Sequence, residues 1–126
     1  MELIEREIKR SDMYYADLTD GIGSEQHGFR PVLIIQNDTG NQHSPTVIAA
    51  AITGRTKRKA RLPTHILIRK QQGLRCRSLV LMEQLQTIDK TRLMDYLGTL
   101  DSKTMSEVDK ALAVSVGLKG DASYDE

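Results

Sequence analysis

Pro31-Val32-Leu33-Ile34-Ile35-Gln36 and, past a turn at Asn37-Asp38-Thr39-Gly40-Asn41, Thr46-Val47-Ile48-Ala49-Ala50-Ala51-Ile52-Thr53 decide the fold. Both are continuous apolar runs of strand length, so both read as buried strands. Pro31 sits at the entrance of the first, where its missing N–H matters least. Toward the N-terminus, Gly21 to Phe29 holds three glycines among Ser24, Glu25, Gln26 and His27. That composition is too polar and too Gly-rich for an element and reads as a long mobile loop. Met13-Tyr14-Tyr15-Ala16-Asp17-Leu18, bounded by Asp12 and by Thr19-Asp20-Gly21, is a further strand. The residues before it form a polar lead-in.

Toward the C-terminus, Gly54 to Arg61 is a basic loop or ribbon that ends at Leu62-Pro63. His65-Ile66-Leu67-Ile68 is a short strand, Gln71-Gln72-Gly73 a turn, and Ser78 to Leu85 another strand. After Thr87 the spacing turns helical. Leu93, Tyr96, Leu97 and Leu100 mark one face of a helix begun near Asp89. Asp101 or Ser102 then caps a second helix, whose apolar side is Met105, Val108, Ala111, Leu112 and Val116, with Gly117 at its C-terminus. Five short strands followed by helices imply an α+β domain: a small SH3-like β-barrel, or a strongly curved antiparallel sheet, with C-terminal helices packed on it. The expected organisation is a lead-in over 1–12, one domain over 13–118 and a polar, frayed tail over 119–126.

At 126 residues the chain holds one core and not two. With one Phe, four Tyr and no Trp, a surface that stacks many bases on aromatics is hard to build. No run approaches a membrane span, and the acidic N-terminus is unlike a signal peptide. The single cysteine, Cys76, excludes an intramolecular disulfide and a Cys-only metal site. These features read as cytoplasmic. The net charge of +1 conceals an asymmetry: from Thr39 to Met82 there is no Asp or Glu but nine Lys or Arg. A basic middle suits an anionic partner such as a nucleic-acid backbone; a solvated basic face balanced elsewhere is the alternative.

Tyr14-Tyr15-Ala16-Asp17-Leu18 and Gly23-Ser24-Glu25-Gln26-His27-Gly28-Phe29-Arg30-Pro31-Val32-Leu33-Ile34-Ile35-Gln36-Asn37-Asp38 closely resemble the MazF/PemK toxins. Gly40-Asn41, Ser44-Pro45-Thr46, Ala50-Ala51-Ile52-Thr53, Leu62-Pro63-Thr64-His65, Glu83-Gln84 and Thr87-Ile88-Asp89-Lys90 follow in the family's order. The resemblance runs from about Asp12 to about Leu118. It implies a homodimeric barrel of the CcdB/PemK type that cleaves single-stranded RNA (mRNA) at short sequences. It also implies silencing by a cognate acidic antitoxin, through which alone DNA would be contacted. The family's catalytic positions fall on Arg30 and Thr53. Two departures stand out: Arg10-Ser11-Asp12 replaces the usual Arg-Gly-Asp, and His27 stands where a second loop glycine is common. A CcdB-like toxin that binds DNA gyrase without catalysis is the alternative from another class.

Metal-free RNA cleavage requires an activated 2′-OH, charge stabilisation at phosphorus and a proton for the 5′ leaving oxygen. His27, His43 and His65 are not at ligand spacing, and no metal or cofactor motif is present, so neither is expected. A guanidinium at position 30 suits a crowded phosphorane but is too basic to be the general base. Its structural alternative is pairing with a carboxylate such as Asp17. Thr53 can donate to a phosphate oxygen, or can serve β-propensity alone. Glu25 and His27 are candidates for the base, with solvated loop residues as the other reading. Arg55, Lys57, Arg58, Lys59 and Arg61 suit backbone phosphates. Ser24, Glu25, Gln26, Leu62, Pro63, Thr64 and Gln84 have the donors, acceptors and apolar surface that reading splayed bases needs. Cys76, between Arg75 and Arg77, is either an activated thiol or a bystander at a strand edge.

Overall fold

In the computed structural model, residues 6–18, 28–54, 62–69 and 73–118 are described. Along them run β1 (Asp12–Leu18), β2 (Gly28–Ile34), α1 (Asp38–His43), β3 (Thr46–Thr53), β4 (His65–Ile68) and β5 (Ser78–Asp89). A 3-10 turn at Lys90–Arg92, β6 (Leu93–Thr99) and α2 (Ser102–Ser115) complete them. The strands form one antiparallel sheet in the order β4-β5-β3-β2-β1-β6.

Alternation along each strand sends side chains to two faces, and both are buried at the centre. On one face Met13, Leu33, Ala50, Ile52, Ile68, Val80 and Met82 pack under Met105, Val108 and Ala111 of α2. On the other, Ala16, Val32, Ile34, Ala49 and Ile88 form a second cluster, with Ala51, Leu79 and Leu81 beside it. Burial on both faces is why β2 and β3 carry continuous apolar runs instead of alternating ones.

Curvature comes from β5. Ala50 pairs with Leu85, yet its neighbour Ala51 pairs with Leu81, so three residues of β5 are accommodated in a bulge. Such a bulge bends its strand and sharpens the twist. The result is a curled, half-barrel sheet that brings the connection after β4 against β6. Gly73, which follows β4, has φ +89°, and a Cβ on it would stand 2.1 Å from the Leu97 carbonyl oxygen on β6.

Strands β1, β3 and β4 lie where the sequence puts them, while β2 begins earlier, at Gly28, and ends earlier, at Ile34. The turn at 37–41 is instead the short helix α1, capped by the Asn37 side chain accepting from the Gly40 N–H at 2.8 Å. The helix expected from near Asp89 is a correction: β5 continues to Asp89, and Leu93–Thr99 is strand β6. Its register with β1 shifts between Met13 and Tyr14 and again between Tyr14 and Ala16. These shifts set Leu93 opposite Ala16 and Tyr96 opposite Tyr14, three residues apart on one face, which imitates helical spacing. Helix α2 is as expected, capped by Asp101 accepting from Thr104 N–H at 2.8 Å, although Val116 beyond it is exposed.

The described part of the lead-in, residues 6–12, is tied down by charge. Asp12, fully buried, accepts from the Lys9 N–H at 2.9 Å, the Thr99 hydroxyl at 2.8 Å and Arg6 at 3.3 Å. Arg10 donates to the Ile35 carbonyl and to Asp109 of α2. Ser11 between them has φ +82°. The predicted tail at 119–126, most of the 21–29 loop and the Gln71-Gln72 part of the expected turn lie outside the described residues.

Candidate active site

Arg30 is the third residue of β2 and stands opposite Ala16 of β1, its side chain half-buried. Asp17, the carboxylate considered as its structural partner, stands opposite Phe29. The β2–β3 ladder runs from Ile34–Ala49 to Val32–Ala51. Two residues further toward the same end of the sheet are Arg30 on β2 and Thr53 on β3. Alternation puts both on the face that carries Val32 and Ala51. Thr53 is buried, pairs with Leu79 of β5 and ends its strand. A Cβ on the following Gly54 would meet Cys76 Sγ at 3.2 Å, so the exposed Cys76 lies beside that strand end.

In the neighbouring row of the same face, His65 of β4 pairs with Leu81, which in turn pairs with Ala51. The His65 ring is buried and fully committed. Its Nδ1 accepts from the Leu62 N–H at 3.2 Å, which leaves the proton of the neutral ring on Nε2, 3.0 Å from Glu83 Oε2. Thr64 Oγ1 donates to the other carboxylate oxygen at 2.6 Å. Burial pushes the Glu83 carboxyl up, but the bonds from Thr64 and His65 outweigh it and hold the group below its ordinary value. Backbone bonds run alongside, from Met82 N–H to the Thr64 carbonyl and from His65 N–H to the Leu62 carbonyl.

Of the predicted base readers, Leu62 is 42% exposed, Pro63 and Gln84 are half-buried, and Thr64 is fully buried with its hydroxyl given to Glu83. Ser24, Glu25, Gln26, Arg55, Lys57, Arg58, Lys59 and Arg61 lie outside the described residues, as does His27. The Thr64–His65–Glu83 group was not found by sequence reasoning. A signal for it existed, because Glu83 is the first carboxylate after the acid-free stretch and so the nearest in sequence that could answer His65. Among the described residues, no three His, Cys, Asp or Glu side chains gather as metal ligands would. No helix there is long and apolar enough to cross a membrane.

A family profile for the PemK-like, MazF-like toxins of type II toxin–antitoxin systems matches residues 9–116. The chain belongs to this family. It is 53% identical over 112 residues to Endoribonuclease EndoA of Bacillus subtilis (strain 168), covering 88% of this toxin and 96% of that relative. A mycobacterial endoribonuclease solved in complex with its cognate antitoxin superposes with a TM-score of 0.73 at 28% identity, over 90% of this chain and 98% of that one. MazF from Deinococcus radiodurans shares the fold at 21% identity, with a TM-score of 0.77 over 90% of this chain and 99% of that one.

Proposed function

We propose that this chain is a sequence-specific, metal-independent endoribonuclease that cleaves single-stranded RNA, mRNA in the cell. The 2′-OH attacks the adjacent phosphorus, and the products are 2′,3′-cyclic phosphate and 5′-OH ends. What supports the reading is that Arg30 and Thr53 each lie two residues past the last β2–β3 pair, at the same end of those strands, in a chain 53% identical to a relative named an endoribonuclease. Arg30 is rooted in a paired strand, so its fork of donors is preorganised for the charge that grows on the phosphoryl oxygens. Thr53 supplies a small hydroxyl that can donate to a phosphate oxygen, and Arg30 protonates or assists the departing 5′ oxygen. The cations at 55–61 hold the backbone, and Leu62, Pro63 and Gln84 meet bases.

The control of such an activity follows from its danger. An acidic antitoxin segment competing for the same cations is the fitting inhibitor, and a cytoplasmic homodimer is the fitting form of the toxin. That a relative at 28% identity was solved with its antitoxin supports the first of these.

The deciding experiment incubates the purified chain with RNA in excess EDTA and identifies the new ends. Cleavage should persist with cyclic-phosphate and 5′-OH termini. Arg30→Ala should abolish turnover while RNA affinity stays within a few-fold of the parent, and Thr53→Ala should act the same way more mildly. Dependence on added metal, 5′-phosphate ends, or variants that lose affinity in step with rate would each contradict the mechanism. Intact RNA together with inhibited gyrase would favour the binding toxin instead.

A further inference from the structure

Glu83 and His65 are the ionisable pair that a search for the missing general base would select, and their geometry argues against that use. Both carboxylate oxygens of Glu83 already accept hydrogen bonds, one from Thr64 and one from His65. The carboxyl is also held below its ordinary value, opposite to what a base working near neutrality needs. His65 has its lone pair on Nδ1 occupied by the Leu62 N–H, so it has no free site for a proton.

What these bonds do is mechanical. Residues 62–64 form the turn that leads into β4, an edge strand of only four residues. Glu83 lies in the bulge of β5, next to Gln84. The carboxylate therefore grips the turn from two sides, through the Thr64 hydroxyl and through the His65 ring that also holds the Leu62 N–H. Leu62 and Pro63 on one segment and Gln84 on the other are thereby held in one fixed relation. We propose that Glu83 is a positioning residue for substrate recognition: it locks the Leu62–Thr64 turn onto the β5 bulge, so that RNA sequence discrimination, not the chemical step, depends on it. The inference rests on the RNA-cleavage reading above, with the base-reading segments as assigned there.

Preorganised recognition groups keep their full discrimination only while their supports hold, because ordering a loose loop consumes part of the binding energy. The test compares wild type, Glu83→Ala, Glu83→Gln and Thr64→Val on a random-sequence RNA pool and on the preferred site with its single mismatches. Glu83→Ala should raise KM on the preferred site about tenfold and lower discrimination against mismatches by a similar factor, the size of one charge-assisted hydrogen bond. Its single-turnover rate at saturating RNA should stay within about twofold of wild type. Glu83→Gln, whose amide can still accept from His65 and reach the Thr64 hydroxyl, should recover most of the loss. Thr64→Val deletes one hydroxyl only and should show the same pattern at about threefold, which keeps the question open to measurement even if Glu83→Ala folds poorly. A fall in saturating rate with discrimination unchanged, or variants with wild-type KM and discrimination, overturns the proposal alone. Wild-type protein that leaves the pool intact overturns the cleavage reading and this proposal with it.

Discussion

Ser11 holds a backbone φ of +82°, a conformation that costs an L-residue roughly 1–2 kcal/mol and glycine almost nothing. It cannot relax, because its N–H donates to the Ile34 carbonyl and its own carbonyl accepts from the Leu100 N–H, joining the ends of two strands. Ser11→Gly should therefore stabilise the fold by about 0.5–1 kcal/mol after the extra freedom of glycine in the unfolded chain is subtracted. Thermal melting checks this, and an unchanged or lower Tm would refute it. Glu83 makes a prediction of the opposite kind. Its folded pKa is depressed, so its contribution to stability is complete above the ordinary glutamate value of about 4.3 and is lost as pH falls through the folded value. Tm should thus decline less steeply for Glu83→Gln than for wild type between about pH 5 and 3; parallel declines would remove this carboxylate from the acid response. At this scale the sequence was informative in an uneven way. Arg30 and Thr53 are proposed on the family pattern alone, since an isolated Arg or Thr is more often structural. The grip of Glu83 on Thr64 and His65 was hidden because it depends on a bulge that brings β5 to the turn before β4, and no local spacing announces it.

Elements repeat that contrast. The apolar runs of β2 and β3 were legible because a strand buried on both faces needs no alternation to be recognised. Strand β6 was not, because two register shifts against β1 put Leu93 and Tyr96 three residues apart on one face. Leu97 and Leu100 meanwhile join the core under α2, again three apart, so both faces imitate a helix. The basic segment at 55–61 carries a prediction independent of its conformation. If Lys57, Arg58 and Lys59 hold RNA phosphates, replacing all three by serine should weaken binding and reduce the slope of log affinity against log salt by about 2, at roughly 0.7 per phosphate of a single strand. The cleavage rate at saturating RNA should be nearly unaffected. A salt slope equal to that of the parent would mark this run as a solvated face.

At the scale of the whole molecule, the sheet matters because it curls. Arg30 and Thr53 lie two residues beyond the β2–β3 ladder in the sheet's centre, whereas the Thr64–His65–Glu83 grip owes its location to the bulge of β5. The curl has a visible end-point, the approach of Gly73 in the β4–β5 connection to the Leu97 carbonyl of the edge strand β6. Alanine at position 73 meets both a positive φ and a backbone oxygen 2.1 Å from its Cβ, so Gly73→Ala should cost about 2 kcal/mol or more in denaturant titrations. A loss under half a kcal/mol would show that this connection parts easily from β6. This contact also bears on the order of folding events. The β4–β5 connection can reach β6 only once the strands between them have paired and bent, so the seam should close late, after the rate-limiting barrier. A late seam acts as a latch: loosening it should speed unfolding by about thirtyfold for 2 kcal/mol while leaving the refolding rate nearly unchanged. The lifetime of the native toxin would then be set at a single glycine, far in sequence from the arginine that is proposed to act on RNA.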